Sequence, residues 1–370
     1  MNSSDRRANR RVRTIPSCRG FRLGHDVTMI RPPALKPGDT VATVSLSSGA
    51  AAAYPHRYET GKRQLAETFG VTVIETPNAL RDDTWLHDNP KARADDLHWA
   101  LANPEVAGVI STIGGDDSIR TVPYLDLDLI RSHPKVFLGF SDTTVQHLVN
   151  RRAGIVSFHG PSLLTEFAET GGLHPYVEAA VRAAVFTPES FELTAVPEWT
   201  EEFLHWGNPA FQARRRRWWP NPGWQWLQGT EPVTGELIGG NAEILEMAKG
   251  ARIWPSDEDW DGAVVLIETS EEVPPPQAVK HWLRGYLALG VLERIGALLV
   301  ARPMGYSQQQ TFTLWDNVQA VLAEAGRPDL PVVANVDYGH TSPAGVLPLG
   351  CQARVDPVHR TITVVDAGVS

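Results

Sequence analysis

The sequence predicts an α/β protein with a parallel, doubly wound sheet, followed by a second α/β domain. Apolar, β-branched runs alternate with helical segments over about 120 residues from Thr40 onward, which is the pattern of parallel sheets. A second alternation begins near Gly235, after about 50 residues rich in tryptophan, arginine and proline. The 370 residues are enough for two domains of ordinary size.

Composition excludes several classes of protein. Hydrophobic residues make up 42% of the chain and charged residues 21%, which is typical of a globular protein with a substantial core. The net charge of −9 argues against nucleic acid as a partner. No apolar run approaches the roughly 18 residues that span a membrane, so no membrane partner is expected. With only Cys18 and Cys351, no disulfide framework is possible, which favours a cytoplasmic location.

Residues 1–28 are predicted to be a disordered basic tail. They contain seven arginines and two aspartates, and no apolar segment follows the arginines as it would in a secretory signal. The folded part is therefore expected to begin near residue 30.

The first domain is assigned to residues 30–184. The helix predicted for residues 90–101 begins with a proline in its first turn. Ser141 is interpreted as a helix-capping residue. The predicted strands are 40–45, 71–75, 106–113 and 135–140, and the predicted helices are 57–69 and 90–101, with a further helix that ends at residue 130 and another that begins at residue 141.

Residues 185–234 are interpreted as a linker or arm, because they are too polar to form a core alone. The four arginines Arg214–Arg217 are either a solvated face or part of a lip over a site. In the second case Trp218, Trp224 and Trp226 would offer aromatic faces to a ring.

The second domain is assigned to residues 235–370. Its end alternates like a β-hairpin, between residues 352 and 365. The predicted strands are 236–241, 263–267, 297–301 and 331–335, and the predicted helices are 242–249, 276–289 and 312–325.

Three polar residues each follow an apolar strand: Ser118, Glu268 and His340. Ligand sites of open α/β sheets lie at this edge, and a serine, a histidine and an acid placed there could form a nucleophilic triad. Each residue also has a simpler explanation. Ser118 could be a cap in a βα turn, Glu268 a capping or ion-paired carboxylate, and His340 a turn histidine.

No metal or cofactor is expected. Four acidic residues between Asp257 and Asp261 cluster in a loop, but no histidine stands at ligand spacing. The glycine pairs at 114–115 and 239–240 do not form a phosphate-binding fingerprint.

Seven short motifs, in order along nearly the whole folded chain, resemble the LD-carboxypeptidase family of serine peptidases. They are Gly114-Gly-Asp-Asp-Ser-Ile-Arg120, Pro123-Tyr-Leu-Asp126, Gly139-Phe-Ser-Asp-Thr143, Phe158-His-Gly-Pro161, Gly239-Gly-Asn241, Leu266-Ile-Glu268 and Gly339-His-Thr-Ser-Pro343. Two further stretches, 224–228 and 335–343, are similar to the branch that contains the microcin C immunity peptidase.

The resemblance implies a Rossmann-like N-terminal domain, a smaller β-rich α/β C-terminal domain and a homodimer. It places the nucleophile at Ser118, the acid at Glu268 and the base at His340. The implied oxyanion donors are the backbone N–H groups of Gly115 and Ile119, beside a substrate-binding group of four residues. That group consists of Trp218, Trp224, Trp226 and Asn241.

The implied activity is hydrolysis of an amide bond in a small peptide or an aminoacyl-nucleotide. Release of terminal D-alanine from a murein tetrapeptide is the alternative, and a non-catalytic binding protein on the same scaffold is a second one. Asp116 and Asp117 depart from the family pattern. Two carboxylates there would repel an anionic substrate unless they are paired, for example with Arg120.

Overall fold

The structure is a computed structural model that describes residues 29–370. The predicted basic tail lies outside these residues. The fold class is confirmed: a parallel sheet occupies the N-terminal part, and a second β-rich sheet follows.

The first sheet has six strands within the described residues. Five of them are parallel, and Leu347–Leu349, from near the end of the chain, adds antiparallel to Ser157–His159. The spatial order is Leu347–Leu349, Ser157–His159, Val136–Gly139, Val106–Ser111, Thr40–Val44 and Thr72–Glu75. The first sheet therefore includes a strand from the segment that the sequence assigned to the second domain.

Helices on the first part of the chain begin where the sequence supplies prolines or capping side chains. Asp126, for example, accepts hydrogen bonds from the N–H groups of residues 128 and 129 and so starts a helix. The α-helices are Ala50–Ala53, Pro55–Phe69, Asp83–Asp88, Pro90–Ala102, Leu127–Ser132, Thr144–Ala153 and Pro175–Val181. Short 3₁₀ turns cover Ser118–Tyr124, Ser141–Thr143 and Glu166–Ala168, and a π turn covers Arg182–Phe186.

Within residues 29–370 the second sheet has eight strands, and the four consecutive ones from Val233–Asn241 to Val332–Val336 are parallel. Its spatial order is Phe191–Leu193, Thr361–Val364, Gln352–Asp356, Val233–Asn241, Val264–Glu268, Ala297–Ala301, Val332–Val336 and Gln225–Gln228. Its helices are Ala242–Ala248, Pro276–Ala288, Val291–Arg294 and Gln308–Glu324, with a 3₁₀ turn at Asp257–Trp260.

The segment interpreted as an arm is partly built into the second sheet. Phe191–Leu193 pairs with one edge of that sheet and Gln225–Gln228 with the other. Between them, the two-residue strands Glu198–Trp199 and Trp219–Pro220 pair with each other, and a 3₁₀ turn covers Pro209–Ala213. Residues 200–218 connect these two short strands, and Thr200 at their start is buried and bridged to Ser342.

The two sheets share their apolar core. One continuous cluster of buried side chains contains Val44 and Val109 from the first sheet together with Ile238 and Val265 from the second. A hydrogen bond from the N–H of Asn241 to Thr144 Oγ1, 3.0 Å long, also joins the two parts. None of the described helices is both long and apolar enough to cross a membrane.

Candidate active site

His340 and Glu268 form the centre of the site. Glu268 is the last residue of the strand Val264–Glu268, and its side chain is fully buried. His340 follows the strand Val332–Val336 of the same sheet. The distance from His340 Nδ1 to Glu268 Oε2 is 2.5 Å. The structure thus brings together two of the three residues that the sequence singled out.

Gly339 makes this contact possible. Its φ is +87°, a conformation that residues with a Cβ rarely adopt. A Cβ built on Gly339 would lie 2.5 Å from the Glu268 carboxylate. The Gly-His motif therefore has a steric reason, because any side chain at 339 would push the carboxylate away from the imidazole.

The serine that faces His340 is Ser141. Its Oγ lies 3.1 Å from His340 Nε2. Ser141 stands between the strand Val136–Gly139 and the helical turns that continue to Ala153, with a φ of +62°. A non-glycine residue in this region is strained, and serine in a sharp strand-to-helix turn is the geometry of a nucleophile elbow.

Ser118 occupies a different position. It is 2% exposed, its N–H donates to Asp142 Oδ2 at 2.8 Å, and its Oγ donates to the Asp142 carbonyl at 2.9 Å. The Gly114–Gly115 turn directs the start of the following 3₁₀ helix toward Asp142, not toward His340. The structure thus places Ser141, and not the expected nucleophile Ser118, beside His340.

The implied oxyanion residues divide in the same way. Gly115 lines the cleft around Ser141. Ile119 packs against the apolar core instead. It lies in the 3₁₀ turn Ser118–Tyr124, which is directed away from His340. A Cβ built on Gly114 would lie 2.8 Å from Ser141 Oγ and 3.2 Å from the Asp142 nitrogen, so the glycine turn abuts the elbow closely.

Charges around the imidazole favour its protonated form. Burial alone would lower the pKa of His340, but the Glu268 carboxylate, and then Glu271, raise it above its ordinary value. Glu271 is largely exposed, and its Oε2 lies 3.1 Å from His340 Nε2. Burial alone would raise the pKa of Glu268, yet the charge of His340 lowers it well below its usual range.

A second histidine stands behind Glu268. His159, from the Phe158-His-Gly-Pro161 motif, is fully buried, and its Nε2 lies 3.7 Å from Glu268 Oε1. The carboxylate is therefore enclosed by an imidazole on each side. This arrangement limits the positions that the Glu268 side chain can adopt.

One side of the cleft, which we call the aromatic side, contains His340, Trp206 and Phe203. Arg57 stacks over Trp206 at 4.5 Å from the ring centre, and Arg216 forms an ion pair with the buried Glu169. This side of the cleft is open to solvent. The residues that line it are Arg57, Thr165, Glu166, Glu201, Glu202, Phe203, Leu204, Trp206, Arg216 and Met304, in addition to those around Ser141.

The three tryptophans expected to bind substrate do not line this cleft. Trp224 donates from Nε1 to Asp337 Oδ2 at 2.8 Å, and Trp226 lies in the edge strand Gln225–Gln228. Trp218 packs against His174. These three rings pack on the second sheet or on neighbouring loops. Trp206 lies in the connection 200–218 and lines the cleft.

The other side of the cleft, which we call the acidic side, begins at Ser141 and carries carboxylates. Asp117 forms ion pairs with Arg93 and Arg120. The negative charge of Asp117 is therefore balanced, as the sequence analysis required for a carboxylate at this position. The remaining acidic residues on this side are Asp83, Asp116, Glu243, Glu271 and Glu272, and Asn241 lies among them.

Comparison with known families accounts for this arrangement. Residues 41–160 match the LD-carboxypeptidase N-terminal domain, and residues 234–355 match the LD-carboxypeptidase C-terminal domain. The chain belongs to the LD-carboxypeptidase family. It is therefore a serine-type carboxypeptidase or amidase. Ser141 lies in the N-terminal family domain, and Glu268 and His340 lie in the C-terminal one.

Two relatives within the LD-carboxypeptidase family are similar to this chain over nearly their whole length. The probable murein peptide carboxypeptidase of Bacillus subtilis is 28% identical over 92% of this chain and 95% of its own. The microcin C7 self-immunity protein MccF of Escherichia coli is 25% identical over 91% of this chain and 96% of its own.

A solved structure of an LD-carboxypeptidase relative shares the whole fold. The MccF-like protein from Streptococcus pneumoniae, in complex with AMP, is 30% identical, with a TM-score of 0.79 over 88% of this chain and 98% of that one. The MccF structure in complex with aspartyl sulfamoyl adenosine has the same TM-score at 23% identity and covers 92% of this chain.

Ser141 carries the same kind of sequence signal as Ser118. Val136–Gly139 is a short apolar strand, and Gly139-Phe-Ser141 then leads directly into a helix, which is the strand–serine–helix signature of a nucleophile elbow. The sequence interpretation used the same signature at Ser118 and treated Ser141 as a cap. Trp206 carried no comparable signal, because it is one of many aromatic residues in the segment 185–234.

Proposed function

We propose that this LD-carboxypeptidase hydrolyses an amide bond with Ser141 as nucleophile, His340 as general base and Glu268 as the carboxylate that orients it. The observation that carries the proposal is the continuous contact from Ser141 Oγ to His340 Nε2 and from His340 Nδ1 to Glu268 Oε2. The hydroxyl proton passes to Nε2 as Oγ attacks the carbonyl carbon, and the imidazolium then protonates the leaving nitrogen. His340 then takes a proton from a water molecule as it attacks the acyl carbon, and gives that proton to Ser141 Oγ as the ester bond breaks.

The oxyanion of the tetrahedral intermediate needs two preorganised donors. We assign them to the backbone N–H groups of Asp142 and Gly115. Asp142 is in the first turn of the helix after the elbow, where an N–H has no acceptor within the helix. The buried Ser118 holds Asp142 in place through both of its hydrogen bonds, so its proposed role is to position the elbow.

The leaving group is assigned to the aromatic side of the cleft. His340, which must protonate the leaving nitrogen, lines that side. Trp206 and Phe203 offer ring faces on which a base can stack, and such stacking contributes about 1–3 kcal/mol. An aminoacyl-nucleotide therefore fits best, consistent with the AMP complex of the Streptococcus pneumoniae relative.

A murein tetrapeptide is the second candidate substrate. It is favoured by the relative from Bacillus subtilis and by Arg57 and Arg216, whose charge could attract a terminal carboxylate. Both guanidinium groups already have partners: Arg57 donates to backbone carbonyls of residues 164 and 165, and Arg216 to Glu169. Their engagement is why the nucleotide is preferred.

Mass analysis of the products tests the assignment. The protein is incubated with alanyl sulfamoyl adenosine and, separately, with a murein tetrapeptide. Release of alanine from the first is expected, and the variant Trp206→Ala should raise KM for that substrate about tenfold. Release of D-alanine from the tetrapeptide alone would establish the second candidate, and no cleavage of either would contradict the proposal.

The variant Glu271→Gln should move the pH profile of the reaction. His340 accepts a proton only when it is neutral, and the carboxylate 3.1 Å from Nε2 stabilises the charged form. Removing that negative charge lowers the pKa of His340, so the acidic limb of kcat/KM is expected to shift to lower pH. The matched variant Glu272→Gln, at a residue without contact to His340, should shift the limb less. A shift of the Glu271→Gln limb to higher pH would contradict the assignment of the base.

The cytoplasm and a homodimeric state are proposed as the setting of this reaction. The homodimer follows from the family resemblance. The cytoplasm follows from the low cysteine content, and the buried thiol of Cys351 agrees with a reducing compartment. Light scattering of the purified chain would measure the oligomeric state directly.

A further inference from the structure

A buried ion pair follows two neighbouring strands of the second sheet. Arg302 comes directly after the strand Ala297–Ala301, and Asp337 comes directly after Val332–Val336. Their side chains are 4% and 1% exposed, and Nη2 of Arg302 donates to Oδ1 of Asp337. A buried ion pair is costly to desolvate and is often no more stable than apolar residues of the same volume. Stability alone therefore does not account for this pair, and its contacts point to another role.

One group of these contacts leads to the segment that carries His340. Nη1 of Arg302 donates to Thr341 Oγ1 at 3.2 Å, and Nε donates to Asn335 Oδ1 at the same distance. Asp337 belongs to this segment and precedes His340 by three residues. The segment is therefore held on both sides of the imidazole, by the residue directly after it and by residues before it.

The other group of contacts leads to both ends of the connection 200–218. Asp337 Oδ2 accepts from the N–H of Val196 at 3.0 Å, before the connection, and from Trp224 Nε1 at 2.8 Å, after it. Asn221 Nδ2 donates to Asp337 Oδ1 at 3.2 Å. One buried carboxylate therefore joins the two ends of the connection to each other.

The two segments also contact each other directly. The N–H of Thr200 donates to the carbonyl of Ser342 at 2.7 Å, and the N–H of Ser342 donates to the carbonyl of Thr200 at 2.9 Å. Ser342 follows His340 by two residues, and Thr200 is the first residue of the connection that carries Trp206. The ion pair and this bridge therefore fix the segment of the imidazole against the segment of the indole.

Asn335 shows that the ion pair and its neighbours impose the direction of the chain. Its φ is +61°, in the left-handed region that asparagine tolerates better than most residues but still at a cost. Its Oδ1 accepts from Arg302, and its Nδ2 donates to the carbonyl of Gly223 at 2.8 Å. Such a conformation persists only where the surroundings over-determine it. The path from the strand to His340 is thus set by side-chain contacts.

We propose that Arg302 and Asp337 are positioning residues that fix the His340 imidazole relative to the Trp206 ring. The imidazole protonates the leaving nitrogen while the ring holds the base of the same leaving group, so their separation must match the substrate. A misplacement of about 1 Å can cost about 10²-fold in rate. This inference rests on the proposed function, because it assumes that one leaving group contacts both His340 and Trp206.

Two variants separate geometry from charge. Asp337→Asn keeps the volume of the side chain but replaces one acceptor oxygen with a donor, which leaves Arg302 or Trp224 without its acceptor. Arg302→Lys keeps the positive charge but loses the planar fork that reaches three side chains together. If the pair only balanced charge, Arg302→Lys would behave as the wild-type protein, whereas a positioning role predicts defects in both variants.

Two measurements report on the two groups that the pair positions. The rate at which a fluorophosphonate labels Ser141 depends on His340, and the Kd of AMP, measured by calorimetry, depends on Trp206. In both variants we expect slower labelling and weaker AMP binding, each by at least about tenfold. Wild-type values in Arg302→Lys would overturn the inference. A change in only one of the two measurements would also overturn it, because the inference requires both groups to be displaced together.

Glu236→Gln is the matched control. It breaks another ion pair of the same sheet, with Arg151, and should leave both the labelling rate and AMP binding close to the wild-type values. All variants are compared at a temperature at which thermal unfolding shows them to be fully folded. Equal losses in Glu236→Gln and Asp337→Asn would show a general effect on stability and would contradict the inference.

Hydrogen exchange of the complete chain without substrate tests the positioning independently of the reaction. Asp337→Asn should exchange faster than the wild-type protein in residues 196–200, 221–224 and 337–342 together, and Glu236→Gln should not. If no amide is cleaved and AMP does not bind, but these segments loosen together, the proposed function fails while the joint positioning stands. If exchange increases on one side of the pair only, or on neither, the inference fails whatever the turnover.

Discussion

Replacing Ser141 with alanine is expected to reduce turnover at least about 10⁴-fold, because the attacking oxygen is lost while the rest of the site remains. Substrate binding should persist, since the aromatic and acidic sides of the cleft are unchanged. The measurement is kcat on the cleaved substrate, together with labelling by a fluorophosphonate probe and identification of the labelled peptide by mass.

Ser118→Ala is the matched control for this prediction. The substitution removes the hydrogen bond from Ser118 Oγ to the Asp142 carbonyl, so we expect a loss of about 1 kcal/mol in the free energy of unfolding. Probe labelling at Ser141 should survive, with a modest loss of kcat from a less rigid elbow. If the fluorophosphonate probe labels Ser118 in the wild-type protein, or still labels the Ser141→Ala variant, the assignment of the nucleophile is overturned.

Replacing Glu268 with glutamine is the second substitution with a large expected effect, about a 10⁴-fold loss of kcat. Glutamine keeps the volume of the side chain but removes the negative charge that stabilises the imidazolium. It can also present an N–H to Nδ1, which favours the wrong tautomer of His340. The pKa of His340 should fall as well, because Glu268 is the main group that raises it.

Glu236→Gln provides the comparison for Glu268→Gln. Glu236 lies in a strand of the same sheet, remote from Ser141. The substitution removes its ion pair with Arg151. Its kcat should stay close to that of the wild-type protein. A Glu268→Gln variant with kcat within tenfold of wild type would show that the carboxylate does not act on His340.

The sequence predicted the sheets and two of the site residues well, for a local reason. Strands such as Val264–Glu268 are continuous apolar runs, so the polar residue that ends each run is visible without a structure. Glu268 and His340 were singled out in this way. The neighbouring strands lie parallel, and their carboxyl ends therefore converge.

The nucleophile could not be chosen by the same reasoning. Ser118 and Ser141 both follow an apolar strand and a glycine, and both begin a helical turn. What separates them is the approach of His340 from the other sheet, which depends on contacts nearly 200 residues apart in the chain. The direction of Trp206 and the packing of Trp218, Trp224 and Trp226 are likewise tertiary properties that single-residue patterns do not carry.

His340 lies on a chain segment that is tied to both sheets. The segment leaves the strand Val332–Val336 in the second sheet and ends in Leu347–Leu349, which pairs with the first. Sliding or opening of the sheets against each other would pull the imidazole away from Ser141 or from Glu268. The alignment of the three groups therefore depends on the contact between the two sheets, and a substitution that loosens this contact is expected to lower kcat even when it lies far from Ser141.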